Sequence, residues 1–274
     1  MIATQAGSPI GVFDSGVGGL SVLREIKHSL PMENLIYLAD QRNVPYGARP
    51  MLKVREFSEA IACYLIAQGA KMIVAACNTA SAAALEHLRV SLPKTPFVGM
   101  EPALKPAAEQ TQSGVVGVLA TPATFQGALY ASVVERFAKD VIVLQDTCPG
   151  LVTQIERGAL DTAETRKILE RALMPMIAKG IDRVVLGCTH YPFVIPMIQE
   201  IVGPDVVVID PAPAVAQQVG RVLTAYNMRS LDADPGSIAY LTTDSAEILE
   251  ALLPELMGET ADVGTLKWQE GNLS

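Results

Sequence analysis

Cysteine is scarce in this chain, and its scarcity excludes several classes of protein. Only 4 of the 274 residues are cysteine, too few for a secreted domain built on disulfides, so we expect reduced thiols. A chain of this length can bury a core that needs neither disulfides nor a structural metal. We therefore expect apolar packing to hold the fold together.

Charge and long apolar runs are also limited. The net charge is −8, without any cluster of Lys and Arg, which argues against a nucleic-acid partner. No apolar run approaches the roughly 18 residues of a membrane-spanning helix, and the first residues do not form a secretion signal. We expect a cytoplasmic protein that binds a small molecule and no membrane; backbone N–H groups could still bind an anionic substrate.

Short apolar runs with the length of buried strands alternate with helical patterns. The runs cover residues 9–16, 34–40, 71–77, 96–100, 114–121, 140–146, 183–188 and 206–210. Alternating β and α elements predict an α/β protein with mostly parallel sheets covered by helices.

An internal repeat relates two parts of the chain. GAKMIVAACNT, beginning at Gly69, aligns without gaps with GIDRVVLGCTH, beginning at Gly180, so that Cys77 and Cys188 occupy equivalent positions. A weaker repeat relates GVFDSG at residue 11 to GVLATP at residue 117. The repeat predicts two pseudosymmetric α/β domains.

The expected boundary lies near residues 101–105, where Pro102 and Pro106 interrupt the chain. The first domain would comprise residues 1–100 and 210–274 and carry Cys77, and the second would comprise residues 101–209 and carry Cys188. Parallel sheets bind ligands at the carboxyl ends of their strands. We therefore expect the active site in the cleft between the domains, with the two thiols facing each other.

The four cysteines separate into two pairs. Cys63, in a helical pattern, and Cys148, in a loop, are expected to be buried packing residues. Cys77 and Cys188 instead follow strands and precede polar residues, where backbone N–H groups and a helix dipole would lower the thiol pKa. A functional pair is the favoured interpretation.

Several chemistries could use these two thiols. A zinc site could recruit His190, but the common C-x₂-C spacing is missing, so we expect no metal. A Cys nucleophile with a His base would suit an amidohydrolase and leave the second thiol without a role. One thiolate and one thiol flanking a carbon suit proton transfer on its two faces. A non-catalytic binding protein stays open as well.

The turn DSGVGG at residues 14–19 matches neither a phosphate-binding loop nor the dinucleotide fingerprint. Its glycines, Gly16, Gly18 and Gly19, could expose N–H donors that hold a substrate carboxylate together with the Ser15 hydroxyl. Asp14 could cap the following helix or take part in chemistry.

Two further positions stay open from spacing alone. His190 is as compatible with a structural role as with a catalytic one. Tyr46 and Gly47, in NVPYGARP, are typical of a turn, which is favoured over a binding role.

Several motifs together resemble the glutamate racemase family. They are GVFDSGVGGLSVLREI at 11–26, YLADQRNVPYG at 37–47, IVAACNTASA at 73–82, GVLATPAT at 117–124, CPGLVTQIE at 148–156 and VVLGCTHYP at 184–192. The resemblance implies a racemase without cofactor that interconverts L- and D-glutamate, supplies D-glutamate for peptidoglycan and forms a homodimer.

The resemblance also implies roles for individual residues. Cys77 and Cys188 would be the proton donor and acceptor, with Cys77 acting on the D-enantiomer and Cys188 on the L-enantiomer. Asp14 and His190 would assist them, and Asp40 and Glu156 would be supporting carboxylates. The substrate-binding residues would be Asp14, Ser15, Tyr46, Gly47, Asn78, Thr79, Thr121, Thr124, Thr189 and His190.

The sequence departs from the family pattern in two places. The residues before the PYG motif are QRNV, where a TARV-like sequence is common in the family. The residues after VVVID are PAPAVA, where a Ser often follows the Asp. These departures concern loop packing. Racemisation of aspartate or another small acidic amino acid is the nearest alternative activity, and a Cys-dependent amidohydrolase is the alternative from another class.

Overall fold

A computed structural model describes residues 6–274 of the chain, which form two parallel sheets flanked by helices. The strands are β1 Ile10–Asp14, β2 Leu35–Ala39, β3 Met72–Ala75, β4 Phe97–Gly99, β5 Val115–Ala120, β6 Ile142–Asp146, β7 Arg183–Gly187, β8 Val207–Ile209, β9 Ile238–Thr242, β10 Val263–Thr265, β11 Trp268–Gln269 and β12 Asn272–Leu273. The α-helices are α1 Leu20–Ser29, α2 Met51–Ala67, α3 Asn78–Ser91, α4 Leu104–Gln110, α5 Pro122–Gln126, α6 Ala128–Phe137, α7 Leu151–Glu156, α8 Ala163–Ile177, α9 Ile195–Val202, α10 Ala212–Ala225 and α11 Ala246–Met257. Single-turn 3₁₀ helices occupy Gln41–Asn43, Tyr46–Ala48 and Tyr191–Val194.

Four strands of the first sheet follow the same order as the four strands of the second sheet. The first sheet runs β10-β9-β2-β1-β3-β4 and the second runs β6-β5-β7-β8, and neighbouring strands are parallel in both. The order β2-β1-β3-β4 thus corresponds to β6-β5-β7-β8. The predicted α/β fold with two pseudosymmetric domains is confirmed.

The sequence repeat extends to the pairing of residues. In the first sheet Gly11 pairs with Ile73, and in the second Gly117 pairs with Val184. These are the positions that the two sequence alignments match. The chain then leaves the sheet at Cys77 after β3 and at Cys188 after β7, so the two cysteines are equivalent in space as well as in sequence.

The central strands are apolar because helices cover both of their faces. Every residue of β1 and β3 is buried. Alternate side chains point to opposite faces: Val12 and Val74 pack with the apolar residues of α1 and α10, whereas Phe13 and Ile73 pack with those of α2 and α3. This packing fixes where β1 and β3 end, and therefore where Asp14 and Cys77 lie.

After β8 the chain returns to the first sheet. Helix α10 packs against α1 and β4, strand β9 pairs with β2, and β10 pairs with β9. The sequence analysis placed the eight strands β1–β8 correctly but did not anticipate β9, β10 or the antiparallel hairpin of β11 and β12.

The structure tests the expected burial of Cys63 and Cys148. Cys63 is exposed on α2, so the expectation that it is buried was wrong, because the apolar face of α2 is formed by Val54, Ile61 and Leu65. Cys148 is buried as expected.

Within residues 6–274, no helix combines the length and apolar character needed to cross a bilayer.

Candidate active site

A narrow cavity lies where the carboxyl ends of β1 and β3 face those of β5 and β7. Its walls combine residues that follow strands of both sheets. They are Ser15, Pro45, Tyr46, Gly47, Cys77, Asn78, Thr79, Thr121, Val152, Gly187, Cys188, Thr189 and His190. Four other residues singled out in the sequence, Asp14, Asp40, Thr124 and Glu156, do not line this cavity but hydrogen-bond to residues that do.

The Cys77 thiol is buried at the start of α3. Its Sγ accepts a hydrogen bond from the Ala80 N–H at 3.5 Å, so Cys77 caps the helix. Burial and the nearby Asp14 carboxyl nevertheless hold the Cys77 pKa well above its usual range. The expectation of a lowered pKa was therefore wrong for Cys77, because loss of solvent outweighs one N–H contact.

The Cys188 thiol lies beside an imidazole. Its Sγ is 3.7 Å from His190 Nδ1, and His190 Nε2 is 2.5 Å from Glu156 Oε1. Burial lowers the His190 pKa, but the hydrogen bonds to Cys188 and Glu156 outweigh burial and raise the pKa well above its usual value. His190 therefore lies between a thiol and a carboxylate, and its contacts with both favour its protonated form.

The Asp14 carboxyl is buried on the other side of the cavity. Its Oδ2 accepts from the Gly19 N–H at 2.8 Å, which ties it to the start of α1. The Ser15 hydroxyl lies 3.5 Å from Asp14 Oδ1 and 4.0 Å from Cys77 Sγ. Burial raises the Asp14 pKa, although the His190 charge opposes the rise. Asp14 thus stabilises the turn through Gly19 and also places a carboxyl group near Cys77.

The glycine-rich turn does not present its backbone to the cavity, contrary to our expectation. The Gly19 N–H is bonded to Asp14, and neither Gly16, Gly18 nor Gly19 lines the cavity. A Cβ at Gly16 would lie 1.9 Å from Glu156 Oε1, and one at Gly18 would lie 2.4 Å from His190 Nδ1. The glycines therefore allow the carboxylate and the imidazole to approach the turn closely.

Tyr46 is oriented by a buried carboxyl. Asp40 accepts from the Tyr46 hydroxyl at 2.6 Å, from Trp268 Nε1 at 2.7 Å and from the Thr243 hydroxyl at 2.7 Å. Burial raises the Asp40 pKa, and these donors oppose the rise. Tyr46 and Gly47 form a single-turn 3₁₀ helix, so the expected turn is present and also lines the cavity.

Polar side chains, among them Asn78, line part of the cavity. The Thr79 and Thr121 hydroxyls are 2.9 Å apart, and Thr121 is 3.0 Å from Thr124. Both polar side-chain atoms of Asn78 are buried without a hydrogen-bond partner among the described residues. A buried amide in this state is costly unless another molecule bonds to it. Asn78 is therefore a candidate contact for a ligand in this cavity.

Some residues of the site were missed by sequence reasoning. Pro45, Val152 and Gly187 line the cavity, and Val17, Gln41, Thr243 and Trp268 hold its carboxylates. Pro45, Val152 and Gly187 lie inside the motifs that resemble the glutamate racemase family, so the resemblance could have identified them. No pattern linked Trp268 to Asp40, which lies 228 positions away. Among residues 6–274, no cluster of three or more His, Cys, Asp or Glu is arranged to hold a metal ion.

Comparison with known proteins identifies the family of this chain. Residues 10–219 match the family model for Asp/Glu/hydantoin racemases. The chain belongs to this family. Over 256 residues the racemase is 50% identical to the curated glutamate racemase of Roseiflexus sp. (strain RS-1), covering 93% of this chain and 94% of the relative.

Solved structures agree with this assignment. The racemase matches a glutamate racemase of Bacillus anthracis with a TM-score of 0.86 at 32% identity, covering 97% of this chain and 99% of the other. It matches a glutamate racemase of Francisella tularensis subsp. tularensis SCHU S4, solved in complex with D-glutamate, with a TM-score of 0.82 at 27% identity, covering 95% and 97%. The protein is a racemase and therefore an isomerase.

Proposed function

We propose that this racemase interconverts L- and D-glutamate by moving the α-proton between two thiols. The observation that carries the proposal is that Cys77 and Cys188 follow equivalent strands of the two sheets and both line one cavity. A group on each side of the α-carbon can remove a proton from one face and return one to the other, which inverts the centre.

The surroundings of the two thiols differ. The His190 ring lies 3.7 Å from the Cys188 sulfur, where it can hydrogen-bond that sulfur while a proton moves to or from it. Burial and Asp14 keep the Cys77 pKa high, so Cys77 holds its proton. Because a two-base reaction requires one base and one acid, we assign the base to Cys188 and the acid to Cys77 when L-glutamate is bound.

The proposed reaction conserves protons. The Cys188 thiolate removes the α-proton of L-glutamate, the electron pair delocalises into the α-carboxylate, and the Cys77 thiol donates its proton to the opposite face. Cys188 is then a thiol and Cys77 a thiolate. This is the arrangement that D-glutamate needs for the reverse reaction, so Cys77 is the base for the D-enantiomer.

The unpartnered polar groups support binding of an amino acid. Asn78 offers both a donor and an acceptor, and the first turn of α3 has backbone N–H groups without helical partners that suit a carboxylate. We assign direct substrate contacts to the residues that line the cavity, namely Ser15, Tyr46, Gly47, Asn78, Thr79, Thr121, Thr189 and His190. Asp14 and Thr124 take part in substrate binding through their hydrogen bonds to Ser15 and Thr121, and Asp40 and Glu156 have supporting roles. Glutamate is favoured because the curated relatives that are 46–50% identical are named as glutamate racemases.

The assay compares L- and D-forms of glutamate and aspartate without added cofactor. We expect glutamate to racemise faster; faster turnover of aspartate would overturn the substrate assignment. Cys77→Ser and Cys188→Ser should each lower racemisation by about 10²- to 10⁴-fold, whereas Cys63→Ser, on the exposed face of α2, should leave it unchanged.

The two cysteine variants must lose activity in both directions. Enantiomers have equal free energy in water, so kcat/KM is the same for L- and D-glutamate in every variant. If either Cys→Ser variant kept near-normal racemisation, the two-thiol mechanism would be wrong. An acyl-enzyme adduct on one cysteine would instead support an amidohydrolase.

The proposal extends to the oligomeric state of the protein and to the use of its product. We infer a homodimer that acts in the cytoplasm without a cofactor and supplies D-glutamate for peptidoglycan. Sedimentation of the purified chain tests the dimer. Growth of a D-glutamate-requiring bacterial strain that carries this chain tests the supply of D-glutamate; a strain that still needs D-glutamate would contradict it.

A further inference from the structure

Gln41 connects the first sheet to the residues around Cys188. It begins the 3₁₀ turn that follows β2 and Asp40, and its side chain is buried. Its Nε2 lies 3.3 Å from Glu156 Oε2, and its Oε1 accepts from the Thr242 hydroxyl at 2.8 Å. The sequence analysis assigned Gln41 no role, and it lies where QRNV departs from the family pattern.

The orientation of the Gln41 amide is determined at both ends. A carboxylate only accepts hydrogen bonds, so the amino group must face Glu156. Thr242 Oγ1 already accepts from the Asp244 N–H at 3.2 Å, which leaves its proton for the Gln41 carbonyl. A flipped amide would place a carbonyl against the carboxylate, so this arrangement is the one that satisfies all the groups.

The contact completes the binding of the Glu156 carboxylate. Glu156 Oε1 accepts from the Val17 N–H at 2.8 Å and contacts His190 Nε2, while Oε2 faces Gln41. Glu156 and His190 belong to the chain around the second sheet, whereas Val17 and Gln41 belong to the first. The carboxylate that partners His190 is therefore held by donors from across the cavity.

We propose that Gln41, anchored by Thr242, is a positioning residue that holds Glu156 against His190 and thereby maintains the positive charge beside Cys188. The inference rests on the proposed function, in which Cys188 is a base. Without the Gln41 donor, Oε2 loses its partner and the carboxylate is free to rotate away from the imidazole.

The expected consequence is a change in the titration of His190. The groups that face its ring are Cys188 after β7, Glu156 on α7 and Asp14 at the end of β1. The Glu156 contact raises the His190 pKa, so loosening it lowers that pKa. The imidazolium is then lost at lower pH, and the alkaline limb of the kcat profile moves to lower pH.

The test replaces Gln41 by an apolar side chain of similar length. The chain has three histidines, so ¹⁵N NMR resolves the His190 imidazole once the His28 and His87 signals have been assigned by substitution. In Gln41→Met we expect the His190 titration midpoint to fall by at least about 0.5 pH unit. We also expect kcat for glutamate to fall about tenfold with KM changed less than about threefold.

Two further variants separate positioning from general damage. Thr242→Val removes the anchor and keeps Gln41, and it should shift the titration in the same direction by less. Gln199→Met removes an amide that binds the Gly203 and Val206 carbonyls, and it should leave the titration unchanged.

The outcomes distinguish this inference from the proposed function. An unchanged His190 titration in Gln41→Met would overturn the positioning role, as would an equal shift in Gln199→Met. If the parent protein fails to racemise glutamate, the proposed function is wrong, while the NMR titration still decides whether Gln41 controls His190.

Discussion

Gly16 lets the Glu156 carboxylate reach His190, and Gly16→Ala therefore tests this contact with a single methyl group. The added Cβ would lie 1.9 Å from Glu156 Oε1 and 2.6 Å from its Cδ. The turn itself is fixed by the bond from Gly19 to Asp14, so the carboxylate is the group that has to move.

The size of the effect follows from the distances. An ordinary contact begins near 3.4 Å, so Oε1 must retreat by about 1.5 Å, which breaks its 2.5 Å contact with His190 and its 2.8 Å bond from the Val17 N–H. A misplacement of about 1 Å near reacting groups can cost about 100-fold in rate. We expect kcat for glutamate to fall about 100-fold.

The assay is a double-mutant cycle on glutamate racemisation. Glu156→Ala removes the group that the new methyl displaces, so Gly16→Ala should cost less than about threefold in that background. Gly7→Ala is the matched control, because its Cβ would meet nothing closer than 3.8 Å. Equal losses from Gly16→Ala in both backgrounds would refute the reasoning.

Two more predictions compare the effect of a substitution on stability with its effect on function. Asn78→Ala removes a buried amide without partners; the free energy of unfolding of the ligand-free protein should stay equal or rise by up to about 1 kcal/mol, while glutamate binding weakens at least about tenfold. Calorimetry measures both quantities, and a large loss of stability would contradict this account. Burial raises the Asp14 pKa above 3.8, so the folded state binds the extra proton and stability falls as pH rises through that window. Asp14→Asn should therefore stabilise the protein more at pH 7.5 than at pH 4 in urea unfolding while lowering activity; the reverse pH trend would contradict the sign.

Most of the fold could be predicted from the sequence, because buried strands appear in it as short apolar runs. Strands β1–β5 and β7 are apolar because helices cover them, so each appears as a short apolar run. The edge strands β6 and β8 are partly exposed but have short apolar runs as well. The repeat placed Cys77 and Cys188 correctly because their strands have the same register. β9 has the short run IAYLT, but the polar segment before it obscured the signal. β10 has three residues including Gly264 and carries too little pattern to recognise.

Parts of the site depend on contacts between distant residues, which spacing does not contain. A strand-to-helix junction predicts N–H donors near Cys77, but only the packed structure shows that burial and Asp14 outweigh them. The DSGVGG turn similarly binds carboxylates of the protein itself. The exact domain boundaries near residues 100 and 210 and the roles of the site residues stay predictions.

Racemisation in D₂O tests the central claim, transfer of the α-proton between two thiols, most directly. With L-glutamate at low conversion, the account predicts that D-glutamate carries deuterium at the α-carbon while the remaining L-glutamate keeps its proton, because the removed and delivered protons belong to different groups. NMR and mass spectrometry measure both pools. D-glutamate that retains the original proton, or L-glutamate labelled as fast as it racemises, would show a single base and contradict the account.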